Sequence, residues 1–230
     1  MRFGKIEYLN LAPFDVFSKR YGASSSFKKI LSLHTNYPSK LNHEFLFRRI
    51  DAGFISSVVA RPSHFKVKPL GLGIITEGEV WSVLCLEREA KSDYQSATSN
   101  ALCKVLGLEG EVLIGDRALR YYHENKECDF IDMGKAWLDK KRLPFVYGRL
   151  CCNANEGFYN KMAKAFARNP KIFIPSYIMD VYAKRLGLKP KFMRAYLDNL
   201  YYVIGKKEAL GLSRFYRDLR LKRIKPVKRY

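Results

Sequence analysis

Long apolar runs are missing from this sequence of 230 residues. No stretch approaches the roughly 20 consecutive apolar residues that a membrane-spanning helix requires. The first residues do not resemble a signal peptide, because Arg2, Lys5 and Glu7 interrupt the apolar positions and no small-residue cleavage site follows. We therefore expect a cytoplasmic protein without a membrane partner. Hydrophobic residues make up 47% of the chain, which is typical of a folded protein with a core.

Disulfide and metal-binding patterns are also missing. The cysteines are odd in number, none has CxxC spacing, and the histidines lie far apart in the sequence. We expect no disulfide framework, no metal and no cofactor, and we interpret the cysteines as small core residues in a reducing compartment. The residues concerned are Cys85, Cys103, Cys128, Cys151 and Cys152, with His34, His43, His64 and His123.

Common catalytic signatures do not occur either. There is no Walker A loop, no GxSxG motif and no HExxH motif, and Gly71-Leu72-Gly73 lacks the third glycine of a dinucleotide-binding loop. These absences exclude the motif-defined nucleotidases, hydrolases and zinc proteases. A polar site, if there is one, has to use less distinctive residues.

Positive charge is what the sequence has in excess, with a net charge of +20. Residues 214–230 carry eight Lys and Arg against one acidic residue, Asp218, and the other basic residues are scattered through helical patterns. No nucleic-acid recognition motif accompanies them. We favour a basic surface that attracts anionic small molecules, with nucleic-acid binding as the alternative.

Strand-like and helix-like patterns alternate along the chain, which predicts an α/β architecture with largely parallel sheets. Helix starts are marked by capping residues or proline, and the pattern from Glu156 onward is helical almost to the end, with breaks at Pro170, Pro175 and 187–190. The predicted strands are 2–9, 27–34, 52–60, 70–76, 80–86, 111–115 and 143–152. The predicted helices begin at Pro13, after an N-cap at Ser39, at Thr98 (to about 106), at Asp116, at Ile131 (to 140) and at Glu156.

The apolar strands at 80–86 and 143–152 bracket a middle section with its own strands and helices. We predict that residues 1–84 and 149–230 form a discontinuous first lobe and that residues 85–148 form an inserted second lobe. The two strands would cross between the lobes. A ligand would then bind in the cleft between them, and closure would hinge at the crossings.

Hydroxyl and amide side chains at strand ends are candidates for this cleft. Asn10 follows the first predicted strand, where an open sheet faces its ligand crevice, or it only caps the turn into Pro13. Ser56 and Ser57 interrupt an apolar strand, so each either bonds the backbone or faces the cleft. Ser82 lies in a strand that is predicted to cross between the lobes and is therefore close to the hinge and the ligand.

Helix starts are the other candidates. The start at Thr98, Ser99 and Asn100 offers hydroxyls and backbone N–H groups that can bind a carboxylate or phosphate, unless it is ordinary N-capping. Asp116, which follows Gly115, is likewise either a ligand contact or only a helix cap. Together these features predict a polar cleft for a small anion.

Six short strings add specificity through their order and spacing. They are Tyr8-Leu9-Asn10, Asp51-Ala52-Gly53-Phe54-Ile55-Ser56-Ser57, Val80-Trp81-Ser82-Val83-Leu84, Thr98-Ser99-Asn100, Val112-Leu113-Ile114-Gly115-Asp116 and Leu143-Pro144-Phe145-Val146-Tyr147. Over residues 2–225 this order resembles the chorismate dehydratase family of the futalosine route to menaquinone.

The resemblance implies a two-lobed α/β fold of the type II periplasmic-binding-protein kind. It also implies a lyase that eliminates water from chorismate to give 3-[(1-carboxyvinyl)oxy]benzoate. By the same resemblance, Asn10 and Ser82 are catalytic-site residues, while Thr98 and Ser99 anchor a carboxylate. Many relatives have an arginine where this chain has Ala97, so backbone N–H groups have to stabilise more of the negative charge. The remaining predicted substrate-binding residues are Ser56, Asn100, Gly115 and Asp116.

The resemblance and the lack of a candidate His or Glu suggest that the enolpyruvyl carboxylate of the substrate is itself the base, held in line by Asn10 and Ser82. Three alternatives stay open: an enzyme of the same pathway that makes 1,4-dihydroxy-6-naphthoate, a non-catalytic small-anion-binding protein, and a nucleic-acid binder. The oligomeric state also stays open, with a homodimer as one alternative.

Overall fold

The computed structural model describes residues 1–21, 34–61, 67–125 and 129–224. The predicted strand 27–34 (apart from its last residue), His64, Cys128 and the end of the basic segment lie outside these ranges. The described strands are β1 Phe3–Gly4, β2 Ala52–Ser56, β3 Lys68–Thr76, β4 Val83–Leu86, β5 Glu111–Ile114, β6 Phe130–Asp132, β7 Phe145–Cys152 and β8 Tyr201–Val203. The described helices are α1 Ala12–Arg20, α2 Pro38–Leu46, α3 Ala97–Leu106, α4 Gly115–Glu124, α5 Met133–Lys141, α6 Glu156–Arg168, α7 Ser176–Leu186, α8 Pro190–Asp198 and α9 Lys206–Leu221.

The strands form two sheets. The larger has the order β1-β2-β7-β3-β8, and the smaller has the order β5-β4-β6. Among the paired strands that the structure describes, only β1 and β2 run parallel, so the prediction of largely parallel sheets is wrong. That prediction came from the alternation of strand-like and helix-like patterns. In the structure, however, β7 lies between β2 and β3 and runs antiparallel to both.

The predicted crossing strands are also wrong in detail. β4 lies entirely in the smaller sheet and β7 entirely in the larger one, so the chain passes between the sheets at 77–82 and 142–144. Trp81 takes a left-handed φ of 58°, which ends the extended conformation before β4 begins. The residue boundaries of the two lobes stay a prediction.

Several other element boundaries differ from expectation. The first predicted strand is reduced to Phe3–Gly4 and is followed by a 3-10 turn, Leu9–Leu11. The first residues of the predicted helix 131–140 belong to β6, which pairs with β4. Asp132 then caps α5, which begins at Met133. The predicted strand 52–60 ends at Ser56, and β8 was not predicted.

Proline and glycine set many helix ends. Pro13 and Pro38 lie in the first turns of α1 and α2, so Ser39 is within the first turn rather than at the predicted N-cap. Gly107 and Gly187 end α3 and α7 with φ angles of 75° and 68°, which glycine adopts without a steric penalty. The predicted breaks at 170, 175 and 187–190 are confirmed by the gaps between α6, α7 and α8.

The core is rich in aromatic rings. Phe14 of α1 makes edge-to-face contacts with Phe54 and Phe166, at centroid distances of 5.0 and 5.2 Å. Such pairs contribute about 0.5–1.5 kcal/mol each beyond area burial. The interpretation of the cysteines as core residues is confirmed for those the structure describes, which are the buried free thiols Cys85, Cys103, Cys151 and Cys152. Among the described helices, none is both long enough and apolar enough to span a membrane.

Candidate active site

A cavity of about 60 Å³ lies where the two sheets meet. Strands β2, β3 and β7 of the larger sheet form one wall, and β4, β5 and the start of α3 form the other. The described lining residues are Ile6, Tyr8, Asn10, Pro38, Phe54, Ser56, Ile74, Val80, Ser82, Val83, Ser96, Ser99, Ile114, Gly115, Tyr147 and Gly148.

The polar groups of this lining are all neutral. They are hydroxyls and one carboxamide set among aliphatic and aromatic side chains, and the described lining contains no Asp, Glu, His, Lys or Arg. An anion in this cavity would therefore be held by hydrogen-bond donors and by the α3 N-terminus rather than by an ion pair. The described lining also offers no side chain that ordinarily acts as a base near neutral pH.

Asn10 is fixed by its backbone and leaves its side chain free for a ligand. Its carbonyl oxygen accepts a hydrogen bond of 2.7 Å from the phenol of Tyr202, and the preceding N–H of Leu9 donates to Asp116 at 2.9 Å. By contrast, its buried Oδ1 has no partner among the described residues. Leaving a buried acceptor unpaired costs about 1–3 kcal/mol, so it marks a place where a ligand donor would bind.

Ser82 is held from two sides. Its carbonyl oxygen accepts the N–H of Gly115 at 2.8 Å, which joins the entry of β4 to the start of α4. Its Oγ accepts a hydrogen bond of 2.8 Å from the phenol of Tyr196, and the side chain is buried. Ser82 lines the cavity at the end of the 77–82 passage between the sheets, and its role toward a ligand stays a prediction.

Asp132 organises the backbone that leads to Ser82. Its carboxylate caps α5 by accepting the N–H groups of Gly134 and Lys135, at 2.9 and 3.1 Å. It also accepts the N–H groups of Val80 and Trp81, at 3.0 and 2.7 Å. Burial raises the pKa of this carboxyl to about 6, although the four donors oppose that shift. One side chain therefore stabilises both a helix start and the left-handed turn.

The two adjacent serines of β2 have different environments. Ser56 lines the cavity, where its Oγ accepts from Nδ2 of buried Asn42 at 2.8 Å and its N–H donates to Asn42 Oδ1 at 2.9 Å. Ser57 faces the other way, and its hydroxyl donates to the carbonyl of Val146 at 2.6 Å. Each serine was expected either to face the cleft or to bond the backbone. Ser56 faces the cavity, whereas Ser57 bonds the backbone.

The start of α3 also lies on the cavity. Ser96 is the N-cap and accepts the N–H of Ser99 at 3.1 Å, and both serines line the cavity. α3 begins at Ala97, one residue before the start predicted at Thr98. The hydroxyl of Thr98 instead accepts the N–H of Val58 at 3.3 Å, so it joins α3 to the residues after β2. Its predicted role as a carboxylate anchor has no support in this geometry.

Two further predicted binding residues lie outside the cavity lining. Asn100 forms a closed pair with the backbone of Asp93, with distances of 2.9 and 2.7 Å. Asp116 binds the N–H of Leu9 and pairs with Arg185 at 2.5 Å, and burial raises its pKa. Both residues support the walls of the site rather than face its interior. Gly115, by contrast, lines the cavity as predicted.

Sequence reasoning missed several residues of the site. Tyr8 and Tyr147 lie in recognised strings and line the cavity; the phenol of Tyr8 donates to Gln95 at 2.6 Å. Ser96 could have been found, because serine is a preferred N-cap just before a helical pattern. Tyr196 carries no comparable local signal, because its contact with the site joins residues 114 positions apart.

Gly115→Ala is expected to reshape the Tyr8 side of the cavity. A Cβ there would lie 2.7 Å from Cε2 of Tyr8, and the glycine has a φ of 64°. Left-handed backbone costs alanine about 1–2 kcal/mol, and overpacking adds about 1–3 kcal/mol. The control is Gly71→Ala, whose φ is 76° but whose Cβ would contact nothing within 4 Å. Urea unfolding should show the larger loss for Gly115→Ala; equal losses would contradict the proposed clash.

The fold and the cavity define the class of protein first. The chain is similar to protein AF1704 from Archaeoglobus fulgidus, with a TM-score of 0.69 and 16% identity over 97% of this chain and 98% of that one. It is also similar to a Candida albicans protein described as having the generic periplasmic binding protein fold, with a TM-score of 0.52 and 9% identity over 99% and 91% of the two chains. The predicted two-lobed, periplasmic-binding-protein-like fold is therefore confirmed.

Sequence comparisons then give the family. Residues 105–220 match a family described as menaquinone biosynthesis. The chain is also 41% identical to a chorismate dehydratase of Campylobacter jejuni over 94% of this chain and 96% of the relative. The chain belongs to the chorismate dehydratase family, as the six ordered strings predicted.

Proposed function

We propose that this protein is a hydro-lyase that converts chorismate into 3-[(1-carboxyvinyl)oxy]benzoate and water. The observation that carries the proposal is the 41% identity to a chorismate dehydratase over nearly the full length of both chains. The cavity supports it, because Asn10 and Ser82, implied as catalytic-site residues by the resemblance, line the same cavity.

The elimination breaks a ring C–H bond and the neighbouring C–O bond. The electron pair of the C–H bond becomes a ring double bond, the hydroxyl leaves with the removed proton as water, and the ring becomes aromatic. Aromaticity supplies the driving force, so the protein mainly has to orient the substrate. Because the described lining has no carboxylate, imidazole or amine, the enolpyruvyl carboxylate of the substrate takes the proton and delivers it to the leaving hydroxyl.

The neutral polar groups have complementary tasks in this scheme. The carboxamide of Asn10 offers an acceptor for the ring hydroxyl and donors for the enolpyruvyl carboxylate. Ser82 donates its hydroxyl to the same carboxylate. The second carboxylate binds at the start of α3, where Ser96 and Ser99 and the positive end of the helix dipole converge. The net charge of +20 favours the approach of a dianion.

The proposal places the reaction in the cytoplasm. Buried free thiols such as Cys151 and Cys152 fit a reducing compartment.

The test is to incubate the purified protein with chorismate and a metal chelator. We expect an aromatic product whose mass is lower than that of chorismate by one water. Binding without turnover would instead favour the small-anion-binding alternative. Salt-dependent binding to random DNA together with no turnover would favour the nucleic-acid alternative, and formation of 1,4-dihydroxy-6-naphthoate from its precursor would favour the sister enzyme.

A further inference from the structure

We infer that Tyr196 is a positioning residue that fixes the hydroxyl of Ser82 as a hydrogen-bond donor toward the ligand. The inference rests on the proposed function for its kinetic consequence. Its structural basis is a single buried contact, the 2.8 Å hydrogen bond from the Tyr196 phenol to Ser82 Oγ.

The number of protons on the two hydroxyls determines which group donates each hydrogen bond. A serine hydroxyl has one proton and accepts at two lone pairs, and a phenol has one proton. Because Tyr196 uses its proton on Ser82, the proton of Ser82 is left for another acceptor. Ser82 lines the cavity, so the acceptor that suits this geometry is an anionic oxygen of the ligand. Without the phenol, the serine hydroxyl could rotate and be a donor or an acceptor.

The protonated state of Tyr196 supports this direction. The residue is 2% exposed, and burial raises the pKa of its phenol well above the ordinary value. The phenol therefore keeps its proton near neutral pH. It acts as a constant donor to Ser82 rather than as a proton carrier.

The ring of Tyr196 is itself held by other aromatic rings. It stacks against Trp81 at 6.4 Å, and Trp81 in turn stacks on Phe192 at 5.3 Å and on Tyr122 at 5.1 Å. Tyr196 and Phe192 belong to α8, whereas Tyr122 belongs to α4. The stack thus joins α4 and α8 through Trp81, the left-handed residue that precedes Ser82. A phenol held in this way can position a neighbouring hydroxyl within narrow limits.

The test is a double-mutant cycle with Tyr196→Phe, Ser82→Ala and the double variant. Losing one hydrogen bond worth about 1–1.5 kcal/mol predicts a fall in kcat of roughly 5- to 15-fold for Tyr196→Phe, with KM within about 3-fold. The double variant should match Ser82→Ala within about 2-fold, because the phenol acts only through Ser82. The control is Tyr159→Phe, because the buried phenol of Tyr159 has no partner among the described residues.

Additive losses in the cycle, or unchanged kcat in Tyr196→Phe, would overturn the inference while leaving the dehydratase proposal intact. If the wild type binds chorismate but does not turn it over, the proposed function fails, and the cycle is read from chorismate affinity by calorimetry. Non-additive affinity losses then support the positioning role, and additive losses overturn it.

Discussion

Asn10→Ala should lower kcat/KM for chorismate by about 100-fold and leave the free energy of unfolding almost unchanged. Removing one well-placed polar group from a transition-state site typically costs about 10²–10³ in rate. Stability should be spared because Asn10 Oδ1 has no partner among the described residues, so the substitution breaks no side-chain bond there. The backbone contact with Tyr202 also remains. Steady-state kinetics and urea unfolding measure the two effects separately.

Asn153→Ala is the matched control, and it should show the opposite pattern. Asn153 Nδ2 donates to the carbonyl of Phe45 at 2.7 Å, at a place away from the cavity lining. Its removal should reduce the free energy of unfolding by about 1 kcal/mol and leave kcat unchanged. Wild-type turnover in Asn10→Ala would remove Asn10 from the catalytic site and weaken the proposed scheme.

Helix ends were predictable from sequence, but strand directions were not. The breaks at Pro175 and Gly187 follow from the backbone limits of proline and glycine, which act within one or two residues. Strand direction depends on which segments pair. The apolar run of β7 indicates burial on both faces but does not indicate that its neighbours are β2 and β3. Local periodicity carries no information about such distant partners.

The candidate site could be predicted only in part, for the same reason. Asn10, Ser56 and Ser82 interrupt or end apolar segments, so a buried hydroxyl or amide is visible from the local pattern. Their supports are not visible in this way. The carboxylate of Asp132 reaches the N–H of Trp81 across 51 positions. Whether such a residue faces a ligand or holds the wall is decided by tertiary packing.

Asp132→Ala should produce a large loss of stability, of the same order as that expected for Gly115→Ala. It leaves the N–H groups of Val80, Trp81, Gly134 and Lys135 without their acceptor. Loss of an N-cap costs about 0.5–2 kcal/mol, and each buried donor left unpaired costs about 1–3 kcal/mol, so partial rehydration still leaves a loss of about 3 kcal/mol. Turnover should also fall, because the turn before Ser82 loses its support. Urea unfolding and the chorismate assay measure both effects.

Asp139→Ala on the exposed side of the same helix is the control, and it should change the free energy of unfolding by less than about 0.5 kcal/mol. The loss in free energy of unfolding for Asp132→Asn should lie between those for Asp132→Ala and Asp139→Ala. The amide oxygen of asparagine can still accept, but its NH₂ group faces other donors. A loss for Asp132→Ala as small as that for Asp139→Ala would contradict the role assigned to the carboxylate.

The effect of Asp132→Ala should also depend on pH, with a sign set by the raised pKa. The folded-state pKa is about 6, above the ordinary value of 3.8, so folding favours the protonated carboxyl. The stability linked to this proton is fully present below the unfolded pKa and is lost as the pH rises through about 6. The difference in free energy of unfolding between wild type and Asp132→Ala should therefore be larger at pH 5 than at pH 8, by about 1 kcal/mol. Other buried carboxyls are common to both proteins, so their contributions cancel in this difference. If the difference is constant with pH, the four N–H donors outweigh burial and hold the pKa of Asp132 near its ordinary value.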